Sequence, residues 1–162
     1  MSAENVSLVR AFYEYSGGRD LVEALDGEEF VETGQAAFGH IIGPDFEFVL
    51  VRGDVGEQGV YPGVRGLVKG MRDWVGSFRS YVTEVEDVID LGDRVMVLTD
   101  EHGVSRGGEV PIRQRGAVIW TFRGDRVSRI ETYLRRDAAI QALAEGEQEQ
   151  LARAGLRTGP AT

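Results

Sequence analysis

Apolar residues are arranged in two ways along this chain, as helical stripes in the first half and as alternating strands in the second. Val6, Val9, Phe12 and Tyr13 recur at helical spacing and Gly17-Gly18 supplies a stop, which predicts a helix from Val6 to Tyr15. Leu67, Val68, Met71, Trp74, Val75 and Phe78 form a broad apolar stripe in the helix expected over Val64 to Arg79. Between them, Asp20 to Gly43 mixes apolar residues with glycines and acids and predicts one or two short helices without fixing their ends. Asp45 to Arg52 alternates as a strand and runs into a glycine-rich loop, Gly53 to Gly63. The second half reads as a four-strand meander, Val82 to Leu91, Arg94 to His102, Glu109 to Phe122 and Arg126 to Leu134. Gly92-Asp93 and Gly124-Asp125 are two-residue hairpin loops, and Gly103 to Gly108 is a longer one. Asp137 can cap a closing helix that carries Ile140 and Leu143, after which residues 145–162 read as a solvated tail. Helices first and a long antiparallel meander afterwards make an α+β fold, with one domain over residues 1–144.

Composition removes several classes of function. The 162 residues suit one domain, and no apolar run approaches the roughly 20 residues that span a bilayer. The N-terminus lacks the basic start and apolar stretch of a signal peptide, so a cytoplasmic location is expected. Without cysteine there are no disulfides, thiolate metal sites or cysteine nucleophiles. A formal charge of −9, with arginines scattered among acids, disfavours nucleic acid as a partner. Two histidines, His40 and His102, without ligand spacing argue against a metal site, and no phosphate loop or cofactor motif is visible.

Several strings then carry a resemblance. Tyr-Pro-Gly-Val-Arg-Gly at Tyr61 to Gly66 runs into the Trp74 helix. Asp-Leu-Gly-Asp-Arg-Val-Met-Val spans Asp90 to Val97, and Ala-Val-Ile-Trp-Thr-Phe-Arg-Gly-Asp-Arg-Val spans Ala117 to Val127. Their order and spacing over Val60 to Leu143 resemble the SnoaL-like branch of the nuclear-transport-factor-2-like superfamily. The resemblance implies a cone-shaped curved sheet around a ligand pocket, commonly dimeric across the sheet. It implies no single reaction, because the superfamily includes polyketide cyclases, ketosteroid isomerases, limonene epoxide hydrolases and non-catalytic members. Limonene epoxide hydrolases carry an aspartate on the final strand where this chain has Thr132, a departure that disfavours epoxide hydrolysis.

The hairpin loops also predict which residues share a face. Leu91 opposite Arg94 places Ile89, Met96, Leu98 and Asp100 together, with Val85 opposite Asp100. Phe122 opposite Val127 adds Ile119, Ile130, Thr132 and Leu134 to that face, and symmetric closure of Gly103 to Gly108 adds His102, Arg113 and Arg115. On this reading Asp100 is the candidate base, His102 shares or relays its proton, and Arg115 or Arg113 holds an anionic oxygen. Trp74 and Met71 wall the pocket, and Thr132 faces the ligand. Competing readings are an edge ion pair for Asp100 and the arginines, a solvated His102, a core-filling Trp74 and a structural His40. Were the sheet turned over, Glu131 and Tyr133 would be the pocket pair. The opposite face, with Val118, Trp120, Phe122 and Tyr133, is apolar enough to need a cover, for which a second copy of the chain is expected. The functions open at this point are a cofactor-free isomerase, cyclase, dehydratase or hydrolase acting on a small apolar molecule, or a non-catalytic ligand-binding or dimerisation module.

Overall fold

The computed structural model describes residues 2–52, 58–108 and 110–156. Helix α1 (Ser2–Ser16) runs to the predicted stop, where the Gly17 amide donates to the Tyr13 carbonyl at 2.7 Å and the Gly18 amide to the Thr83 carbonyl at 3.0 Å. The ambiguous stretch becomes α2 (Leu21–Asp26), α3 (Glu28–Phe38) and a 3-10 turn (Gly39–Ile41) that leaves His40 exposed, not structural. Asp20 caps α2 by accepting the Val22 amide, and the same carboxylate oxygen accepts the Tyr81 amide. Strand β1 (Ile42–Val51) follows, then β2 (Gln58–Pro62) inside what the glycines suggested was loop. Residues 53–57 of that loop lie outside the described residues, as do Glu109 and 157–162. Helix α4 (Gly63–Val75) is shorter than its stripe, because Phe78 and Arg79 open β3 (Phe78–Asp90). The meander continues as β4 (Arg94–Ser105), β5 (Pro111–Arg123) and β6 (Arg126–Tyr133), and α5 (Arg136–Gln141) and α6 (Glu145–Arg153) close the chain.

The six strands form one curled, unclosed sheet in the order β2-β1-β6-β5-β4-β3, with β1 parallel to β6 and the other pairs antiparallel. Both short hairpins form where predicted, opened by Gly92 and Gly124 at positive φ of 91° and 66°, a region that glycine enters without steric cost. Their registers hold near the turns, with Ile89 opposite Met96 and Phe122 opposite Val127. Irregularities then intervene. One between Val85 and Asp87 sets Glu84, not Val85, opposite Asp100. Another, between Thr121 and Phe122, sets Trp120 opposite Ile130 and Val118 opposite Thr132. A slip of one residue turns every later side chain to the other face. Ile130 and Thr132 therefore share a face with Trp120, not with Met96. Between β4 and β5 the observed partners, His102 with Arg113 and Asp100 with Arg115, differ from symmetric closure by four residues. An even difference keeps the faces, so Arg113 and Arg115 remain on the side of Asp100.

Each face is covered by the chain itself. Val95, Val97, Val118, Trp120, Phe122, Val127 and Ile130 pack under α1–α4 on the inner face. Met96, Leu98, Ile119, Val49, Val51 and Tyr133 pack under Ile140, Leu143 and Leu151 of the C-terminal segment on the outer face. Residues 145–156 are thus no solvated tail: α6 has Leu151 fully buried, and Glu147 pairs with Arg94 of β4. Trp120, Phe122, Val118 and Tyr133, for which a second copy was expected as a cover, are buried without one. Among the described residues no helix is long and apolar enough to cross a membrane.

Candidate functional site

Strand β4 carries two neighbouring carboxylates whose side chains leave the sheet in opposite directions, because successive residues of a strand alternate faces. Asp100 lies on the outer face. Its Oδ1 accepts Arg113 Nε at 3.1 Å and its Oδ2 accepts an Arg113 terminal nitrogen at 2.8 Å, a two-point guanidinium fork. His102 Nε2 stands 3.5 Å from Oδ2, while Arg115 and Arg136 pair with Glu86 at 3.5 and 3.2 Å. The Arg113 hydrogen bond, with the charges of Arg113, His102 and Arg115, holds the Asp100 carboxyl below the usual carboxylate range. Asp100, His102, Arg113 and Arg115 are therefore brought together as the register predicted, but as a charge network on the outside of the cone. The helices α1–α4 cover the other face, so the cavity does not contain them. Glu84, Asp100 and His102 bring ligand-type atoms within 4.8 Å of one another on that outer face. Both Asp100 oxygens are already engaged by Arg113, which accounts for the cluster without a cation.

Glu101 points inward, onto the face of Val95 and Val97, and lines a cavity between that face and helices α1, α2 and α4. Trp74, Met71 and Thr132, predicted to meet the ligand, line the same cavity. Its volume is about 70 Å³, and apart from Tyr13, Ser16, Tyr81, Thr83, Glu101 and Thr132 its walls are apolar. A second lobe of about 70 Å³ lies beside it, between α1, α3 and α4. The two share Phe12, Ser16, Leu67, Met71, Trp120 and Ile130 as walls. The second lobe adds Tyr15, Phe30 and Phe38 and no ionisable acid or base besides the Tyr15 phenol. A cavity of roughly 150 Å³ lined by apolar side chains holds a benzene ring, so a molecule of that order would need the space of both lobes.

Within the cavity Glu101 is 4 % exposed. Thr83 Oγ1 donates to its Oε1 at 3.4 Å, whereas its Oε2, the Tyr81 hydroxyl and Thr99 Oγ1 are buried without a partner. Burial pushes the Glu101 carboxyl up to about 7. The Tyr81 hydroxyl, close by though short of a formed hydrogen bond, and that of Thr83 pull the other way, and the charge of Asp100 behind the sheet adds to the rise. Tyr13, from α1, accepts the Trp120 indole N–H at 3.2 Å, and burial and the nearby Glu101 raise its pKa, as burial also raises that of Tyr81. The site therefore joins one carboxyl titrating near neutrality to two phenols that stay protonated.

Glu101, Tyr13, Tyr81 and Thr83 were not singled out from the sequence. The signal for Glu101 was its alternation with Val95 and Val97, which becomes useful only once the inner face is known. Glu131 and Tyr133, the pair held in reserve, lie on the outer face instead: Tyr133 donates to Glu131 at 2.7 Å, and Arg129 stands 3.4 Å from Glu131. The register slip in β6 that brings Thr132 inward turns these two outward.

Comparison with known proteins agrees with this architecture. A solved nuclear-transport-factor-2-like protein of unknown function from Burkholderia pseudomallei superposes over 85 % of this chain and 95 % of its own, at 16 % identity and a TM-score of 0.57. A protein from Jannaschia sp. described as a SnoaL-like polyketide cyclase does so over 77 % and 90 %, at 15 % identity and a TM-score of 0.54. One with a ketosteroid-isomerase-like fold from Catenulispora acidiphila, solved with trimethylamine, covers 79 % and 94 %, at 16 % identity and a TM-score of 0.50. At such identities the likeness is one of fold. No curated protein matches the sequence. The family model for the SnoaL-like domain matches residues 9–130, from the first helix to the last strand of the sheet, and the chain belongs to that family.

Proposed function

We propose that this protein moves a proton on a small, largely apolar molecule held in the inner cavity, with Glu101 as the acid and base. The observation that carries the reading is a buried carboxyl, raised to about 7, at the polar end of a cavity otherwise walled by aromatic and aliphatic side chains. A carboxyl that titrates near the operating pH is the most effective proton carrier, since neither form is scarce. When ionised, Glu101 takes a proton from an acidic C–H. When protonated it returns one, while the Tyr81 or Tyr13 hydroxyl donates to an oxygen on which charge develops. None of these steps needs a bound cofactor. The charge network around Asp100 lies on the far side of the sheet and serves the site only through its field.

The test uses cyclohexanone, a ring ketone of suitable size, in deuterated buffer. Exchange of its α-hydrogens is followed by NMR. Exchange above the buffer rate that rises through pH 7, falls about 100-fold in Glu101→Gln and persists in Asp100→Asn supports the assignment. Quenching of Trp74 and Trp120 fluorescence by the ketone without exchange would point instead to a ligand-binding module, the reading that the apolar second lobe favours. Exchange unchanged in Glu101→Gln removes Glu101 from the mechanism.

A further inference from the structure

The two oxygens of Glu101 do not have the same surroundings. Oε1 accepts from Thr83, on the cavity wall. Oε2 is turned toward β5, where Gly116 stands opposite Thr99. A Cβ built at Gly116 would lie 3.0 Å from Oε2, 3.1 Å from Thr99 Oγ1 and 2.7 Å from the Tyr133 carbonyl oxygen. The missing side chain thus leaves a narrow hollow, too small for a methyl group, on which three oxygens converge. Two of them, Oε2 and Thr99 Oγ1, are buried and have no partner. Leaving a buried polar atom unpaired costs its full desolvation, so this arrangement is not explained by packing alone. A hydroxyl and a carboxylate oxygen facing one hollow, without a hydrogen bond between them, are a donor and an acceptor that a small movement can join.

We propose that Thr99 and the hollow at Gly116 are positioning elements for Glu101, seating Oε2 against β5 so that Oε1 alone is offered to the cavity. The proposal rests on the reading of Glu101 as the acid and base of the site. In the ionised state the Thr99 hydroxyl turns onto Oε2 and holds the carboxylate in place. In the protonated state the proton sits on Oε1, the oxygen that takes it from the molecule in the cavity and returns it, while Oε2 stays against the Thr99 hydroxyl. Any side chain at position 116 would fill the space and drive the carboxyl forward into the cavity.

The experiment is a titration of the protein labelled with glutamate carrying ¹³C at the side-chain carboxyl, Glu101 being assigned by the resonance that Glu101→Gln removes. It needs no ligand, so its outcome is independent of whether the exchange assay succeeds. Because a methyl at position 116 also presses on the Tyr133 carbonyl, the deciding variant is Thr99→Val, which keeps the shape and removes the hydroxyl. A hydrogen bond to the charged form lowers a carboxyl pKa, so its loss is expected to raise the Glu101 midpoint by about one pH unit. In any exchange assay that responds to Glu101, the pH profile moves by the same amount as the titration. A Glu101 midpoint in Thr99→Val equal to that of the parent protein overturns the proposal.

Discussion

Asp100 and Glu101 are neighbours in sequence with opposite surroundings, and the contrast separates a structural charge from a chemical one. Asp100 meets a guanidinium in a two-point fork and its pKa falls, whereas Glu101 meets an apolar cavity and its pKa rises to about 7. A paired carboxylate at neutral pH is a fixed charge and exchanges protons poorly. An unpaired one in a dry site changes its charge within the range in which proteins work. The strand's alternation alone decides which residue has which fate. A motif search that scores acids near histidines and arginines selects Asp100, because a charge network has more recognisable members than a solitary buried acid.

The sharpest test of this contrast is the pH dependence of stability. The Glu101 pKa rises from an ordinary 4.5 to about 7 on folding, so below pH 4.5 both states bind the proton and nothing is lost. Between the two values the unfolded chain ionises while the folded one does not, and stability falls as pH rises, by about 1.4 kcal/mol per pH unit. Above pH 7 the full penalty, about 3 kcal/mol, is present. Urea unfolding at pH 4.5 and pH 8 is therefore expected to show this loss in the parent protein and not in Glu101→Gln. A Glu101→Gln protein with the same dependence as its parent would place the titrating group elsewhere and erase the distinction between the two acids.

How much of this was legible beforehand follows from the same two faces. The elements and the turns were readable because Gly92, Gly124 and the Trp74 stripe impose local geometry that tertiary contacts do not override. The cluster of Asp100, His102, Arg113 and Arg115 was readable because an even error in register preserves faces. Thr132 was assigned to the ligand, but for a face it does not occupy; it reaches the cavity through an irregularity in β6 that no turn residue announces. The inward direction of Glu101 was hidden because both faces of the sheet are apolar, so patterning could not say which one the first four helices cover. The role of the C-terminus was hidden too. Glu145 to Gln150 read as solvated by their charge, and the one buried residue of α6 is Leu151. Leu151→Ala is expected to cost about 2 kcal/mol, the lower end for a buried leucine because a helix at the margin of the sheet can settle into the space. Urea denaturation of this variant measures it. A cost near zero would return α6 to the solvated tail that its composition suggested, and would leave the outer face open to a second copy of the chain.

The smallest effect is expected from Asp100, and its sign is opposite to that of Glu101. Only 8 % of Asp100 is exposed, yet Arg113, the partner in its ion pair, has a side chain that is 65 % exposed. Water therefore screens the pair, and exposed pairs contribute little. The folded pKa lies below the ordinary 3.8, so the contribution of the pair is present above that value and is lost as pH falls through the depressed one. Asp100→Asn is accordingly expected to be slightly less stable than the parent at pH 7, with the gap closing below about pH 4 and narrowing in high salt. Stability curves from pH 2 to pH 8 at low and high ionic strength read both dependences. The parent protein then carries two opposed limbs, one at acid pH to which Asp100 contributes beside Asp20, Asp73, Asp137 and Glu147, and one approaching pH 7 from Glu101; Asp100→Asn should weaken the first slightly and Glu101→Gln should remove the second. A large loss of stability at pH 7 in Asp100→Asn, insensitive to salt, would show a buried role for Asp100 and undo the division between the outer charge network and the inner site.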